Sequence, residues 1–216
     1  MSTRGVIYSA VNSNRHAVEA RKSAASVRKI HPDIPIAIHT DKFRIVPEFD
    51  IEIPCDVKLT NKYHPHRAKI EAMKHSPFDE TIYLDTDTEL RKPVDHVFEL
   101  FPDYDLALSM AVGKSVNHPD SRLDYLSEYN TGVMFWKKTR RMDDFFDQWL
   151  HHYDKNFPAA FNDQFSFTEV VHHNAHVRIA LLTVHYNQRH PHTFPSFTEA
   201  KMDARALVIH NRNFIA

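Results

Sequence analysis

The sequence predicts a single α/β domain with a mostly parallel central sheet. A run with high strand propensity, Val6–Val11, precedes helical spacing of alanine and valine over about Arg15–Ile30, and a second apolar run covers Ile34–His39. Such β-α-β alternation is typical of parallel strands joined by right-handed crossovers. The chain has 216 residues, enough for one sizeable core, and no repeat or linker divides it.

The remaining elements are predicted from apolar periodicity and from turn residues. The first helix ends near Pro32, because proline cannot continue a helix. In RRMDDFFDQWLHHYD, which begins at Arg140, apolar residues recur at i, i+3, i+4, i+7, i+8 and i+11, as in a helix with one apolar face. Further helices are predicted at Arg67–His75 and Phe161–Val171, and further strands at Thr81–Leu84, Asp105–Met110, Thr131–Trp136, Val177–Val184 and Ala206–Ile209.

The composition excludes several classes of binding site. The formal net charge of −1 gives no electrostatic case for nucleic acid or an anionic membrane as a partner. Glycine occurs only at positions 5, 113 and 132, so the sequence contains neither G-x-G-x-x-G nor a Walker A loop, and any nucleotide must be bound without a glycine-rich cradle. The 17 histidines match no structural zinc spacing and are interpreted as scattered surface and cap residues.

The expected location follows from the cysteine count and the hydropathy. The single cysteine, Cys55, excludes an internal disulfide and fits a reducing compartment. The N-terminal segment lacks the apolar region of a signal peptide, and no stretch approaches the ~18 apolar residues of a membrane span. We therefore expect a soluble, cytoplasmic protein with no membrane span.

Two aspartates follow an apolar strand in TIYLDTDTEL. Asp85 and Asp87 are two residues apart, so in an extended backbone their side chains leave the same face and repel each other unless a cation lies between them. Hard oxygen ligands suit Mg²⁺, Mn²⁺ or Ca²⁺. Ligands of α/β sheets bind beyond the carboxyl ends of the strands, where this strand delivers the pair. An acidic surface loop is the alternative interpretation of D-x-D alone.

The segment HRAKIEAMKHSPFDETIYLDTDTELRKPVDHVFELFPDYDLALSM resembles the central part of nucleotide-diphospho-sugar transferases of the GT-A fold. Those enzymes carry a lysine-bearing helix, an "SPF" element, a strand ending in D-x-D and a strand of the "fDlal" type. The resemblance continues in YNTGVMFWKK, NDQFSF, HYNQRH and VIHNRN, and so spans most of the chain in the expected order. It implies one GT-A domain over residues 1–216, a Rossmann-like α/β/α sandwich.

The resemblance also implies an activity, a metal and a donor. The enzyme would move a sugar from a nucleotide-diphosphate donor, by default a UDP-sugar, to an acceptor hydroxyl on a glycan, a protein or a small molecule. The metal would be Mn²⁺ or Mg²⁺. Asp85 would face the ribose and the metal, Asp87 would be the principal metal ligand, and His210 would complete the metal site. A histidine that merely caps the last strand is the alternative for His210.

Further site residues are implied residue by residue. Lys69, and less strongly Arg67, would meet the diphosphate or sugar, while a solvated helix lysine is the alternative for Lys69. Asp163 and Gln164 match a "DQ" pair near the anomeric carbon, although aspartate is favoured at a helix start in any case. We assign catalytic roles to Lys69, Asp163 and Gln164 and leave a retaining or an inverting outcome open. The remaining donor-binding candidates are Ala10, Asn12 and Asp41 around the base and ribose, Asn130 and Gly132 beside the sugar, and Asn187 and Arg189 near the acceptor or phosphate.

Three other functions use similar residues. A nucleotidyltransferase would open with a glycine-rich loop containing arginine, which MSTRGVIYSAVNSNRH lacks. A metal-dependent phosphohydrolase would need no acceptor. A non-catalytic sugar-nucleotide-binding domain would tolerate loss of the acidic pair, which this chain retains.

Overall fold

The computed structural model describes residues 2–41, 47–55, 64–111, 127–156, 163–173, 176–189 and 204–210. In these residues the main sheet has seven strands in the order β3-β2-β1-β4-β7-β6-β8. Their bounds are β1 Arg4–Ala10, β2 Ile36–Thr40, β3 Ile51–Pro54, β4 Glu80–Leu84, β6 Leu106–Met110, β7 Tyr129–Lys137 and β8 Ile179–Leu182. A second sheet, in the order β5-β10-β9, is formed by β5 Thr88–Leu90, β9 Gln188–Arg189 and β10 Val208–His210.

The main sheet is mostly parallel, as predicted. β1 pairs in parallel with β2 and with β4, β2 with β3, and β6 with β8. β7 alone among these seven strands runs against its neighbours, β4 and β6. Because β1 and β4 are parallel neighbours, their carboxyl ends meet at one edge of the sheet.

Helices cover both faces of the main sheet. The helices are α1 Asn14–Ile30, α2 His64–Lys74, α3 Arg140–Asn156 and α4 Asp163–His173, with 3₁₀ helices at Asp95–Leu100 and Val184–Tyr186. Val6 and Tyr8 of β1 pack in one cluster with α1, whereas Ile7 packs in the opposite cluster with α2, α3 and α4. This alternation along β1 makes a three-layer α/β/α arrangement.

The sequence located the long elements to within a few residues and missed the short ones. β3, β5 and β9 were not predicted, because each has at most four residues and too little periodicity to distinguish it from a loop. The predicted strand Val177–Val184 was too long, since Val184 begins a 3₁₀ helix. α2 begins at His64, before the expected Arg67, because a helix tolerates Pro65 in its first turn. The expected start of α4, Phe161, lies outside the described residues.

No helix in the described residues combines the length and the apolar character that crossing a bilayer requires.

Candidate active site

A cavity of about 340 Å³ lies at the edge of the main sheet where β1 and β4 end. The strand ends, the first turn of α2, the start of α4 and the second sheet all contribute side chains to its wall. Seven of the residues predicted from the sequence line it: Lys69, Asp85, Asp87, Asp163, Gln164, Arg189 and His210.

Three side chains of metal-ligand type converge on one wall of this cavity. One oxygen each of Asp85 and Asp87 and one ring nitrogen of His210 all lie within 4.8 Å of one another. Nε2 of His210 is 3.0 Å from Oδ1 of Asp87 and 3.7 Å from Oδ2 of Asp85. Carboxylate oxygens suit Mg²⁺, Mn²⁺ and Ca²⁺, and a neutral imidazole is a common additional ligand.

The two aspartates converge through a turn, so the expectation of an extended backbone was wrong. β4 ends at Leu84, and the N–H of Thr88 donates to the carbonyl of Asp85 at 3.2 Å. The hydroxyl of Thr88 donates to the same carbonyl at 2.8 Å. The turn thus reverses the chain between β4 and β5 and holds both carboxylates toward the cavity.

His210 is oriented from behind by Asn187. Oδ1 of Asn187 accepts a hydrogen bond from Nδ1 of His210 at 3.0 Å, so Nε2 is the nitrogen that faces the two aspartates. Burial raises the pKa of the Asp87 carboxyl, but the hydrogen bond and charge of His210 outweigh burial and hold that pKa at about 2. Asn187, expected near acceptor or phosphate, is 3% exposed and contacts His210 instead.

Removing this support is expected to weaken metal binding. Asn187→Ala takes away the acceptor that fixes the ring, and groups in this position typically contribute about 10- to 100-fold in metal affinity. We expect a loss of that size in a calorimetric titration with Mn²⁺, whereas Asn187→Asp, which keeps an acceptor oxygen, retains the affinity. Equal affinities for the alanine variant and the wild type would exclude the supporting role.

A buried lysine joins the metal-ligand cluster to the start of α4. Nζ of Lys69 lies 3.0 Å from Oδ1 of Asp85, 3.0 Å from Oδ2 of Asp163 and 3.2 Å from Oγ1 of Thr131. The residue is 6% exposed, so it is not a solvated helix lysine. Burial lowers the pKa of Lys69, but the two carboxylates raise that pKa by more than burial lowers it. The ammonium group therefore stays charged.

Asp163 is the first residue of α4 and is enclosed by donors. Its Oδ2 accepts from Thr131 at 2.5 Å as well as from Lys69, and its Oδ1 lies 3.0 Å from Nδ1 of His66. Burial raises the pKa of this carboxyl, but Lys69 and His66 lower it well below the usual range. Asp163 is therefore an ionised carboxylate at neutral pH.

Each residue of the Asn130-Thr131-Gly132 segment has a separate task. Oδ1 of Asn130 accepts from the N–H of Gly132 at 3.0 Å, and Thr131 donates to Asp163. A Cβ on Gly132 would lie 2.5 Å from Cε1 of His210 and 2.8 Å from Oδ2 of Asp85. Glycine is thus needed to leave room for the side chains of His210 and Asp85, not for a turn, because Gly132 lies inside β7.

A shift in the register between β6 and β7 releases part of this segment from pairing with β6. Leu108 of β6 pairs with Met134, but the next residue, Ser109, pairs with Asn130. The residues between Asn130 and Met134 therefore leave the β6 ladder, and the carbonyl of Gly132 accepts from the N–H of Asp85 at 2.8 Å. Bulges of this kind are common beside active sites, where they redirect side chains.

Comparison with known proteins agrees with this geometry. The family model described as nucleotide-diphospho-sugar transferase matches residues 80–212, more than half of the chain. The chain belongs to this family. The predictions of family and of a nucleotide-sugar-dependent transferase are thereby confirmed. Among curated protein sequences, none matches the chain significantly.

Solved glycosyltransferase structures share the fold of this transferase. The bifunctional glycosyltransferase WbbM superposes with a TM-score of 0.68 at 13% identity over 97% of this chain, which spans only 45% of WbbM. Mouse xyloside xylosyltransferase 1 gives a TM-score of 0.59 at 13% identity, over 97% of this chain and 98% of the mouse protein. The galactosyltransferase LgtC, in complex with donor and acceptor sugar analogues, gives a TM-score of 0.59 at 15% identity, over 96% of this chain and 87% of LgtC. The predicted GT-A fold is confirmed by these likenesses.

Several predicted residues of the transferase do not line the cavity. Arg67 donates to Asp154 of α3 from Nε at 2.7 Å and also pairs with Glu71. The N–H of Asn12, whose φ is 62°, donates to both carboxylate oxygens of Asp41 at 3.1 Å. The predicted residues placed outside the wall are Ala10, Asn12, Asp41, Arg67, Asn130, Gly132 and Asn187.

The sequence interpretation missed other residues of the cavity wall. Arg15 pairs with Glu19 at 2.7 Å, and Glu19 accepts at 3.1 Å from Thr86, which lies between the two aspartates. The hydroxyl of Tyr83 donates to Oδ1 of Asp85 at 2.9 Å. His66 was counted among the scattered histidines, although its i, i+3 spacing from Lys69 places both side chains on one helix face.

Proposed function

We propose that this transferase moves a sugar from a UDP-sugar to an acceptor hydroxyl and that donor binding depends on Mn²⁺ or Mg²⁺. The observation that carries the proposal is the convergence of Asp85, Asp87 and His210 on the wall of the cavity. Membership of the nucleotide-diphospho-sugar transferase family supports a sugar nucleotide as the donor. The packing of the described residues around one main sheet supports a single GT-A domain over residues 1–216.

The residues present fit a divalent ion. Two carboxylates and one imidazole supply ligands of the right type, and the absence of a side chain at Gly132 keeps His210 and Asp85 in place. A bound Mn²⁺ or Mg²⁺ would neutralise negative charge on the donor diphosphate and leave coordination positions for phosphate oxygens.

The protein itself would hold and orient the donor. Arg15 and Arg189 line the cavity, and both lie close enough to Asp87 to interact electrostatically with it. Fixed positive charges of this kind stabilise a leaving diphosphate. We assign Gln164 to the sugar end of the cavity, where it follows Asp163 at the start of α4, and Lys69 to the charge balance between Asp85 and Asp163.

The decisive measurement is the affinity for UDP with and without a divalent metal ion. We expect UDP to bind tightly in calorimetry with Mn²⁺ present and at least 10-fold more weakly in EDTA, since a charge-assisted interaction with phosphate contributes roughly 1.5–3 kcal/mol. Asp87→Asn keeps the shape of the side chain but removes its charge, and it should abolish the difference between the two conditions. Equal affinity of the wild type in Mn²⁺ and in EDTA would contradict the proposal.

The donor and the reaction class follow from two further measurements. A thermal-shift panel of sugar nucleotides with Mn²⁺ identifies the donor, because a ligand that binds only the folded state raises the melting temperature. Product analysis then distinguishes the classes: a transferase releases intact UDP, whereas a phosphohydrolase that cleaves the diphosphate of the UDP-sugar releases uridine monophosphate and a sugar phosphate.

A further inference from the structure

A second cavity, of about 390 Å³, lies between helices α3 and α4 and shares no wall residue with the candidate active site. The sequence contains two histidine doublets, His151-His152 on α3 and His172-His173 on α4, and three of these four histidines line the cavity. Imidazoles suit transition metals such as zinc, whereas paired carboxylates suit Mg²⁺ and Mn²⁺. The wall is formed by Asp147, Gln148, His151, His152, Val170 and His173.

His152 is already held in the way that a metal-binding histidine is held. Its Nε2 lies 2.9 Å from Oε2 of Glu169, and its Nδ1 lies 3.1 Å from Oγ of Ser166. Ser166 is fully buried and Glu169 is 8% exposed, so both partners are fixed in place. Because a serine hydroxyl can accept as well as donate, Ser166 can accept from Nδ1 and leave the lone pair of Nε2 directed beside Glu169. A hydrogen bond from the second ring nitrogen commonly orients a histidine that binds a metal.

His173 provides a third ligand from the next turn of α4. Residues four apart lie on one helix face, so Glu169 and His173 project from the same side of α4, a spacing at which two side chains of one helix can bind a single zinc ion. Burial, and after it the charge of His173, lower the pKa of His152, so the two rings lie within electrostatic range.

The ring of His173 must turn to complete the set. Of the residues that the structure describes, only the group on the wall of the first cavity already places three ligand atoms within 4.8 Å of one another. His173 is exposed, so its side chain can rotate toward His152 and Glu169 without disturbing the core.

We propose that α3 and α4 carry a second metal site, for Zn²⁺, with His152, Glu169 and His173 as ligands and water in the fourth position. Two imidazoles, one carboxylate and one water form a tetrahedral set that zinc accepts. Glu169 and His173 lie about 9 Å and about 15 Å along the helix axis from Asp163, where α4 begins, so this ion is outside the candidate active site. It ties α4 to α3, and the site does not depend on the proposed function.

The test is a calorimetric titration of the untagged protein with Zn²⁺. Asp87→Asn serves as the parent, because it weakens metal binding in the first cavity. We expect the parent to bind one Zn²⁺ per chain and to bind Mn²⁺ about 10-fold or more weakly, since Mn²⁺ prefers oxygen ligands. Adding His173→Ala or Glu169→Gln should weaken Zn²⁺ binding by about 100-fold, because losing a group that only supports a ligand already costs about 10- to 100-fold. Zn²⁺ should raise the melting temperature of the parent and not that of the His173→Ala variant.

His172→Ala in the same parent is the matched control. His172 is also an exposed histidine of α4 and is the neighbour of His173 in sequence. It does not line the cavity, and its ring lies beside Tyr129, with the ring centroids 6.3 Å apart. We expect this variant to bind Zn²⁺ with the affinity of the parent. If Glu169→Gln does not fold, His173→Ala decides the test, because its changed residue is exposed.

Three results would overturn the second site. The first is equal Zn²⁺ affinity of His173→Ala and the parent. The second is an equal loss for His172→Ala and His173→Ala, which would assign the binding to surface histidines in general. The third is an absence of Zn²⁺ binding by the parent, which would confine any binding by the wild type to the first cavity. The affinity for UDP with Mn²⁺ tests the proposed function separately.

Discussion

Lys69→Met is expected to lower the free energy of unfolding by about 3–5 kcal/mol, because removing one partner of a buried ion pair leaves uncompensated charge. Nζ of Lys69 is shared by Asp85 and Asp163, each at 3.0 Å, and Asp163 has almost no access to water. Methionine fills a similar volume but offers no proton and no charge. Urea denaturation at pH 7 in EDTA measures the difference without a contribution from bound metal.

Lys74→Met on the same helix is the matched control. Lys74 also pairs with an aspartate, Asp147, but the side chain of that aspartate is 57% exposed. Exposed pairs typically contribute less than about 1 kcal/mol. A loss for Lys69→Met no larger than that for Lys74→Met would mean that the buried network does not stabilise the fold.

The pH dependence of the Lys69→Met effect has a definite sign. The pKa of Asp163 in the folded protein is lowered below that of the unfolded chain, about 3.9 for an ordinary aspartate. Its stabilising contribution is thus fully present above that value and is lost as the pH falls through the folded-state pKa. The deficit of the variant should be constant from neutral pH down to about 4 and should narrow only as the pH falls below about 3.9, where the unfolded chain takes up the proton that the folded wild type does not.

Gly132→Ala is expected to weaken Mn²⁺ binding by about 100-fold or more while the chain still folds. The new Cβ would lie 2.5 Å from Cε1 of His210, which is itself only 5% exposed and cannot move aside freely. Disturbing a group that merely supports a metal ligand already costs about 10- to 100-fold in affinity, and displacing the ligand should cost at least as much. Calorimetric titration with Mn²⁺ measures the loss.

Gly5→Ala provides the corresponding control. A Cβ on Gly5 would collide with the ring of Phe78, far along β1 from the carboxyl edge of the sheet. This variant should melt at a lower temperature and yet bind Mn²⁺ with wild-type affinity in its folded state. Wild-type affinity for Gly132→Ala would show instead that His210 is not held where the structure has it.

The elements that the sequence predicted well are those with a repeated pattern. The apolar face of α3 repeats over several turns, so Phe145 and Trp149 could be assigned to the core directly. β9 has two residues and β5 has three, so their positions depend on pairing with β10 rather than on their own side chains. Such pairing is a tertiary property that periodicity does not report.

The residues of the candidate site also fall into those that the sequence could predict and those that it could not. Asp85 and Asp87 were predicted from their place after an apolar strand, and His210 was supplied by the resemblance; the structure does bring the three together. The spacing of the two aspartates suggested the right outcome for the wrong reason, since a turn and not a strand makes them converge. The contacts of His66 with Asp163 and of Asn187 with His210 join residues that are distant in sequence, so only the structure shows them.

The second sheet has a consequence for the order of folding. β10 pairs with β5 and with β9, so His210 reaches the aspartates only after strands from opposite halves of the sequence have met. The β1-α1-β2 unit, by contrast, is assembled from neighbouring segments. Closing a long loop costs entropy before its contacts compensate for it, so non-local pairings form slowly. The chain should therefore form its main sheet first and bring the three residues of the proposed metal site together last.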